Sequence, residues 1–377
     1  MTQRFLCAVR RGNEDTMIIR SHAKDYQVLL YEDFSFLEGL LDTLDSFLVL
    51  DEKVYTLYRE QLFQKIGDGL GDRFCLVRAE ESNKTIETAL SICEKISDLR
   101  AKRNSTLISI GGGIVQDITG FAANVLYRGI HWQFVPTTLL AACDSCIGGK
   151  TSLNYKTYKN ILGTFFAPDQ IHICTEFFQT LSQKDFESGL GEVIKFNVMA
   201  GEEGLSLLER RLGSLLERDK ELLGQVVLRS LNFKKSFIEE DEFDRGVRIQ
   251  LNFAHTFGHA FETLSRYEIP HGTAVAMGVI AANHVSLQRG WMRQELAARI
   301  EALLLEIIHV DLQCLNTDRN ALISAMRKDK KQTGNSLTTV LMKEVDMELC
   351  IVHDTSEEEI EEAIRHLLTL LRERGES

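Results

Sequence analysis

The first 180 residues of this chain alternate between short apolar runs and helical patterns. The apolar runs read YQVLLY, SFLVLD, FCLVRA, STLISI, WQFVP and IHICT, and the middle ones are separated by helical patterns such as TIETALSICEKISDLRAKR and DITGFAANVLYRG. Strands that alternate with helices build βαβ units, and these units form a parallel sheet with helices on its faces. We therefore predict a Rossmann-like α/β domain over residues 1–180.

The strand signal nearly disappears after about residue 180. The long helical stretches there include SLLERDKELLGQVVLRSLNFKKSFIEE, GTAVAMGVIAANHVSLQ and RQELAARIEALLLEII, whereas only TTVLMKEV and ELCIVH have strand character. A chain of 377 residues has the length of two ordinary domains. We predict a second, mostly α-helical domain over residues 181–377.

The composition restricts the class of function. The chain is 44% hydrophobic and 26% charged, which is ordinary for a soluble globular protein. It has no apolar run of membrane-spanning length and no apolar signal core, so we expect a cytoplasmic protein without a membrane partner. Its formal net charge of −12 speaks against a nucleic-acid partner. A small anionic substrate remains compatible, because a pocket can be locally basic.

A glycine turn joins the strand STLISI to a helical pattern. Its residues, Gly111 to Gly113, are typical of a backbone that approaches a pyrophosphate at a helix N-terminus. The pattern is not GxGxxG, so a tight structural turn is an equal alternative. Asp51 ends the earlier strand SFLVLD, where its carboxylate would suit ribose hydroxyls.

Polar and charged residues are concentrated beside a Gly-Gly pair in the segment FVPTTLLAACDSCIGGKTSLNYKTYKN. Lysines next to glycine backbone suit a phosphate group, and the alternative is an exposed polar loop. The candidates are Thr137, Thr138, Asp144, Lys150, Lys159 and Asn160. Cys143 and Cys146 form a lone CxxC here, which we interpret as two buried or loop thiols.

Two histidines four residues apart lie in LNFAHTFGHAFETL, which we predict to be helical. His255 and His259 would share one face of that helix. The peptidase zinc motif has a glutamate directly after its first histidine, but Thr256 stands there. His271, after Pro270, and Glu192, in SGLGEVIKFN, are further candidates for a zinc site with three nitrogen or oxygen ligands. Core histidines with satisfied hydrogen bonds are the alternative.

These segments resemble, in the same order, the motifs of dehydroquinate synthase and the wider sugar phosphate cyclase family. The matching segments are GGGIVQDITGFAA, VPTTLLAACDSCIGGKT, SGLGEVIK, DEFDRGVRIQLNFAHTFGHAFE, PHGTAVAMG and MRKDKK, between about residues 45 and 345. The resemblance implies an NAD- and metal-dependent lyase that turns a sugar phosphate into a carbocycle. It implies transient oxidation, phosphate elimination, reduction, ring opening and aldol closure, with zinc or cobalt as the metal.

The resemblance also implies roles for individual residues. Glu192, His255 and His271 match the metal ligands, and His259 matches a residue at the substrate phosphate. The other substrate-site matches are Asp144, Lys150, Asn160, Lys195, Lys234, Arg248, Asn252 and Lys330. The NAD-site matches are Asp51, Glu81, Lys84, Gly112, Gly113, Asp117, Thr137, Thr138, Lys159, Phe177, Thr180 and Leu181. Arg128 matches an arginine that family homodimers lend to the neighbouring subunit's phosphate.

Among the activities that the resemblance implies, the residues favour that of dehydroquinate synthase, which takes an acid sugar phosphate. Arg248, Lys234 and Lys330 favour the seven-carbon acid 3-deoxy-arabino-heptulosonate 7-phosphate, because a neutral sugar would leave that arginine unpaired at a cost of about 1–3 kcal/mol or more. Three departures from the family pattern, at Cys174, Asn197 and Ala254, favour the relatives that form amino-dehydroquinate, valiolone or deoxy-inosose. The alternative from another enzyme class is a metal-dependent polyol dehydrogenase. The non-enzymatic alternative is a binding or scaffold protein.

Overall fold

The computed structural model describes residues 9–11, 14–40, 45–66, 71–156, 158–316, 318–327 and 337–375. The chain divides into two compact units, Met1–Leu181 and Ser182–Ser377. Among the described helices, none is both long enough and apolar enough to cross a bilayer.

Ten strands lie in the described part of the first unit. They are Val9–Arg11 (β1), Glu14–Ile19 (β2), Tyr26–Tyr31 (β3), Ser46–Asp51 (β4), Phe74–Val77 (β5), Thr106–Gly111 (β6), His131–Pro136 (β7), Lys150–Tyr155 (β8), Tyr158–Phe165 (β9) and Gln170–Cys174 (β10). Eight of them form one sheet in the order β1-β2-β3-β10-β7-β6-β4-β5. β1, β2 and β3 pair antiparallel, and the remaining neighbours pair parallel.

The helices of the first unit cross between the parallel strands. They are Leu37–Leu40 (α1), Glu52–Ile66 (α2), Ile86–Asp98 (α3) and Gly113–Val125 (α4). β4 and β6 are buried along almost their whole length, as expected for parallel strands that helices cover on both faces. The predicted α/β domain with a parallel sheet is therefore confirmed, and the six apolar runs named above form β3 to β7 and β10.

The segment after the Gly-Gly pair is a β-hairpin. β8 and β9 pair antiparallel as a separate two-stranded sheet. Gly148 and Gly149, directly before β8, have φ values of +99° and +65°, a backbone region that favours glycine. Backbone pairing therefore orders residues 150–155 and 158–165, for which the alternative interpretation was an exposed polar loop.

The second unit is mostly helical, as predicted. Its helices are Gln183–Met199 (α5), Glu202–Leu216 (α6), Lys220–Glu240 (α7), His255–Leu264 (α8), His271–Gln288 (α9), Gln294–Leu305 (α10), Arg319–Arg327 (α11) and Glu357–Gly375 (α12). The strands Leu337–Met342 (β11) and Leu349–Thr355 (β12) form an antiparallel pair. α9 is the central helix, because it is buried along most of its length and packs against α5, α8, α10 and α12.

Two helical predictions need correction. The stretch predicted as one helix over residues 214–240 is split between α6 and α7, because Arg218 has a left-handed φ of +63°. The histidine helix begins at His255 and not at Leu251. Residues 247–252 form a 3₁₀ turn, and Ala254 has a φ of +70°.

A buried histidine in the large sheet predicts how stability depends on pH. His172 on β10 is 5% exposed, and its ring nitrogens contact Tyr31 Oη at 3.2 Å and Gln133 Oε1 at 2.9 Å. Burial lowers the pKa of His172 to about 4, whereas an unfolded histidine titrates near about 6.5. Between these values the unfolded chain binds a proton that the folded chain does not. We therefore expect the free energy of unfolding to fall by about 3 kcal/mol as the pH falls through this window.

Urea unfolding between pH 7 and pH 4 measures this effect. The variant His172→Gln should show a shallower loss of stability with acid than the native chain, whereas His22→Gln, which replaces an exposed histidine, should follow the native slope. Equal slopes for native and His172→Gln would contradict a neutral, buried His172.

Candidate metal centre and cofactor site

Three potential metal ligands converge from three helices of the second unit. Glu192 lies in the middle of α5, His255 is the first residue of α8, and His271 is the first residue of α9. Glu192 Oε1 lies 3.6 Å from His255 Nε2 and 3.5 Å from His271 Nε2. The ligand atoms of all three residues lie within 4.8 Å of one another. The structure thus brings together the three residues that the sequence predicts as metal ligands.

Close backbone approaches set this convergence. A Cβ on Gly272 would overlap the backbone oxygen of Ser188, and a Cβ on Gly191 would overlap the backbone oxygen of Gly272. These glycines therefore allow α5 and the start of α9 to touch through their backbones. Because Gly191 precedes Glu192 and Gly272 follows His271, the same contact brings the carboxylate to the imidazole.

Each candidate ligand residue has a second polar side-chain atom, and that atom contacts a further group of the protein. His255 Nδ1 lies 3.1 Å from the Phe253 carbonyl oxygen, and His271 Nδ1 lies 3.2 Å from Glu262 Oε2. With the Nδ1 of each ring donating to these partners, Nε2 is the ring nitrogen that would bind a metal ion after losing its proton. Lys195 Nζ lies 2.6 Å from Glu192 Oε2, and both side chains are almost fully buried. Metal-binding histidines in proteins commonly have this kind of outer partner.

The donor set fits Zn²⁺ or Co²⁺. Both ions accept imidazole nitrogen and carboxylate oxygen, and a catalytic site of this kind keeps one position open. Glu192 is fully buried whereas the His271 side chain is 31% exposed, so the cluster is open on the His271 side. Burial lowers the pKa of His271, but hydrogen bonds to Glu192 and Glu262 outweigh it and raise the pKa to about 10. A metal ion would displace the proton that this pKa retains.

His259 lies one turn after His255 on the same face of α8. The centroid of its ring is 5.4 Å from that of His255 and 6.0 Å from that of His271. His259, Glu262 and His271 form a second group whose ligand atoms lie within 4.8 Å of one another. We did not predict Glu262 from the sequence. Its position three residues after His259 and seven after His255, on the same helical face, is the signal that would have found it.

Two further candidates of the second unit lie in the 3₁₀ turn before α8. Arg248 is buried, and its Nη1 donates to the Glu242 carbonyl oxygen at 2.5 Å. Asn252 Nδ2 donates to the Ile249 carbonyl oxygen at 2.9 Å. Lys234, on α7, is also buried. Lys330 falls outside the described residues.

In the first unit, the nucleotide-site candidates lie at the carboxyl ends of neighbouring strands. Asp51 is the last residue of β4. Gly111 is the last residue of β6, and it pairs with Pro136 at the end of β7. Gly112 is the N-cap of α4, and a Cβ added to it would lie 3.0 Å from Thr138 Cγ2. Carboxyl ends of parallel strands are where open α/β sheets bind ligands. Burial raises the pKa of Asp51.

The hairpin residues meet a loop that follows β5. Lys84 Nζ lies 2.5 Å from Asp117 Oδ2 and 2.7 Å from Asn160 Oδ1, so these three residues form one network. Lys159 Nζ lies 3.8 Å from Glu81 Oε1. These contacts therefore bring together residues that are up to 79 positions apart in the sequence. The residues are Glu81, Lys84, Asp117, Lys159 and Asn160.

The turn that carries Asp144 is fixed by a pair of hydrogen bonds that we did not predict. Gln116 Nε2 donates to the Ser145 carbonyl oxygen, and Ser145 Oγ donates to Gln116 Oε1, both at 2.7 Å. Because Gln116 lies on α4, these bonds tie the turn to that helix. Cys143 and Cys146 lie in and directly after this turn, and they are buried thiols that form no disulfide.

The remaining candidates of the first unit lie at three places: near its last residue, at the start of β8 and directly after β7. Phe177 is buried and its ring contacts Tyr58, whose hydroxyl lies 2.6 Å from Thr180 Oγ1. Leu181 follows directly, and Lys150 is the first residue of β8. Thr137 is buried, and its backbone N–H donates to the Gly111 carbonyl oxygen at 2.9 Å.

Comparisons with known proteins match both units. Models described as 3-dehydroquinate synthase N-terminal and C-terminal match residues 74–188 and 189–332. A 3-dehydroquinate synthase of Clostridium tetani is 35% identical over 355 residues, which cover 92% of this chain and 94% of that protein. One from Dictyoglomus thermophilum is 33% identical over 354 residues, with 92% and 97% covered.

Solved structures share the fold. A 2-epi-5-epi-valiolone synthase from Streptomyces hygroscopicus subsp. jinggangensis 5008, with NAD+ and Zn²⁺ bound, has a TM-score of 0.79 at 24% identity, with 91% of this chain and 97% of that chain covered. A 2-deoxy-scyllo-inosose synthase complexed with carbaglucose-6-phosphate, NAD+ and Co²⁺ has a TM-score of 0.80 at 22% identity, with 93% and 99% covered. An iron-containing alcohol dehydrogenase has a TM-score of 0.62 at 13% identity, with 91% and 97% covered.

Proposed function

Since the chain belongs to the 3-dehydroquinate synthase family, we propose that it converts 3-deoxy-arabino-heptulosonate 7-phosphate into 3-dehydroquinate and phosphate. It would do so as an NAD- and metal-dependent lyase of the shikimate pathway, with zinc or cobalt as the metal. The observation that carries this proposal is the convergence of Glu192, His255 and His271 within the segment that the C-terminal family model matches.

We assign NAD binding to the first unit and metal binding to the second. Glu192, His255 and His271 would hold the metal ion, and Lys195 would balance the charge of the buried Glu192 carboxylate. A metal ion held there would supply Lewis-acid polarisation of a substrate hydroxyl, and NAD+ held by the first unit would supply reversible hydride transfer. The reaction is redox-neutral overall.

The remaining roles follow from charge and position. We assign His259 to proton exchange with the departing phosphate, because its ring lies beside both candidate ligand histidines. The cations Lys150 and Lys234 would bind the anionic groups of the substrate, together with Lys330. Asp144, Asn160 and Asn252 would bind its hydroxyl groups.

The acid substrate is supported by buried cations. Arg248 is 4% exposed and Lys234 is 7% exposed. A guanidinium group can bind a carboxylate through two parallel hydrogen bonds, and a lysine ammonium can bind a carboxylate or a phosphate oxygen. A heptulosonate supplies a carboxylate as well as a phosphate, whereas a neutral sugar phosphate supplies only the phosphate.

The three departures from the family pattern lie at buried positions, and contacts of Asn197 explain one of them. Asn197 is fully buried, and its amide donates to the Val226 carbonyl oxygen at 3.3 Å and to Ser230 Oγ at 3.2 Å, which ties α5 to α7. Cys174 is fully buried at the end of β10. Ala254 keeps the left-handed backbone that a glycine would adopt there. These residues therefore do not count against the acid substrate.

Phosphate release tests the substrate. We would compare 3-deoxy-arabino-heptulosonate 7-phosphate, sedoheptulose 7-phosphate and glucose 6-phosphate, each with NAD and Zn²⁺ or Co²⁺. Release from the heptulosonate alone is the expected result. Release from a neutral sugar alone would replace the proposal with a cyclitol-forming activity.

A homodimer is part of the proposal. Arg128 is exposed in a turn between α4 and β7, next to Tyr127, which is 42% exposed. The hairpin strand β9 exposes Tyr158, Ile161 and Phe165 by 60%, 51% and 42%. Ile161 and Phe165 are four residues apart on β9 and therefore share one face of that strand, and an exposed apolar face can mark a surface that a partner covers. We propose that a second copy of the chain covers it and that Arg128 reaches the partner's phosphate site.

Mixing two inactive variants tests this arrangement. Arg128→Ala and Lys195→Ala subunits, unfolded and refolded together in equal amounts, should recover about a quarter of the native turnover, because half of the dimers are mixed and each mixed dimer has one complete site. Each variant refolded alone is the control. No recovery, with mixed dimers present, would mean that Arg128 serves its own subunit.

A further inference from the structure

Glu262 contacts the metal-ligand cluster, which consists of Glu192, His255 and His271, but it is not one of these three residues. It lies on α8, and its side chain is 16% exposed. Its Oε2 lies 3.2 Å from His271 Nδ1, on the side of the ring opposite to the Nε2 that faces Glu192.

The three candidate ligands differ in how firmly their surroundings hold them. Glu192 is fully buried and bonded to Lys195, and the His255 side chain is 13% exposed and bonded to a backbone carbonyl. The His271 side chain is 31% exposed, which is more than either of the other two ligands. Packing therefore constrains the His271 ring least, so its orientation depends most on the group at Nδ1.

We propose that Glu262 is a positioning residue for the metal centre. It accepts the Nδ1 proton of His271, which fixes the tautomer and turns the Nε2 lone pair toward the position shared with Glu192 and His255. A carboxylate also makes the imidazole a stronger donor than a neutral acceptor would. The inference rests on the proposed metal dependence.

The position of Glu262 also defines the competing role. Glu262, His259 and His271 could themselves hold a cation, since their ligand atoms lie within 4.8 Å of one another. If that cation is bound through His271 Nδ1, the nitrogen that contacts Glu262, it needs the lone pair of an atom on which positioning requires a proton. A ligand role and a positioning role are therefore mutually exclusive, and the number of bound ions separates them.

Metal binding to the metal-stripped full-length protein tests the inference without substrate. The dissociation constants for Zn²⁺ and Co²⁺ would be measured by competition with a chromophoric chelator, for the native chain, Glu262→Gln and Glu262→Ala. The matched control is Glu301→Gln, which alters the same kind of pair elsewhere in the unit, with Glu301 Oε1 2.7 Å from His366 Nε2. We expect one ion per chain, about 10-fold weaker binding for Glu262→Gln and about 100-fold for Glu262→Ala, with native affinity for Glu301→Gln. The visible spectrum of bound Co²⁺ should also change in Glu262→Ala.

The possible results are distinct. Native affinity and a native Co²⁺ spectrum in both Glu262 variants would overturn the positioning role and leave the proposed function intact. Two ions in the native chain, with the second lost in Glu262→Gln, would make Glu262 a ligand and overturn it as well. No metal binding by the native chain would refute the metal dependence itself. Should Glu262→Ala fail to fold, Glu262→Gln decides alone, because it keeps the side-chain shape.

Discussion

Replacing His271 by alanine is expected to remove the metal ion and lower turnover by about 10³-fold or more. The substitution deletes one of three ligands and leaves Glu192 and His255, which is too few for a stable zinc site of this type. A bound metal contributes several kcal/mol to the charge stabilisation of a transition state, and each 1.36 kcal/mol corresponds to a factor of about ten in rate. The measurements are the metal content of the purified protein and the rate of phosphate release.

His309→Ala is the matched control for His271→Ala. His309 Nδ1 lies 2.9 Å from Glu187 Oε1, so this variant also deletes a histidine beside a glutamate in the second unit. It should keep one metal ion and native turnover. A His271→Ala protein that retains one tightly bound ion and native turnover would contradict the assignment of the metal ligands.

Replacing Gly272 by alanine is expected to destabilise the second unit and to disrupt the metal centre together. The new Cβ would overlap the Ser188 backbone oxygen, and no side-chain rotamer relieves a clash between two backbone-fixed atoms. α5 and α9 must therefore separate, at a cost of about 3 kcal/mol or more for overpacking. For a unit of this size we expect the melting temperature to fall by about 6–12 °C. Metal affinity should fall as well, because Glu192 moves away from His271.

Gly213→Ala is the control for Gly272→Ala. Gly213 lies within α6, and a Cβ added to it meets nothing within 4 Å. An alanine there should stabilise the helix by up to about 1 kcal/mol. If Gly272→Ala melts at the native temperature and binds metal normally, the backbone contact between α5 and α9 does not set the site.

The sequence predicts the parallel sheet well because its strands are buried on both faces. Such strands are apolar runs, as in SFLVLD (β4) and STLISI (β6), and they are separated by amphipathic helices. The hairpin of β8 and β9 carries no comparable signal, because residues such as Asn154, Lys159 and Asn160 stand in it. Its order comes from backbone pairing and from contacts with the loop at Lys84, which spacing along the chain does not reveal.

The candidate metal site is also only partly predictable from the sequence. Residue type and the family resemblance identify Glu192, His255 and His271, because metal chemistry restricts which side chains are suitable. The groups that orient them are missed, since a backbone carbonyl such as that of Phe253 has no sequence signature. Glu262 is the exception, because its helical spacing from His255 and His259 places it on the same face. The helix break at Arg218 is missed for a different reason, because a left-handed arginine has no strong local pattern.

The most direct test of the central claim follows phosphate and NADH in the same reaction. The protein would be supplied with 3-deoxy-arabino-heptulosonate 7-phosphate, Zn²⁺ or Co²⁺, and NAD in an amount equal to the enzyme. The proposed cyclase releases phosphate over many turnovers while the NADH absorbance shows no net increase, because the hydride returns to the substrate in each cycle. Formation of one NADH for each substrate consumed, without phosphate release, would contradict the account and make the protein a dehydrogenase.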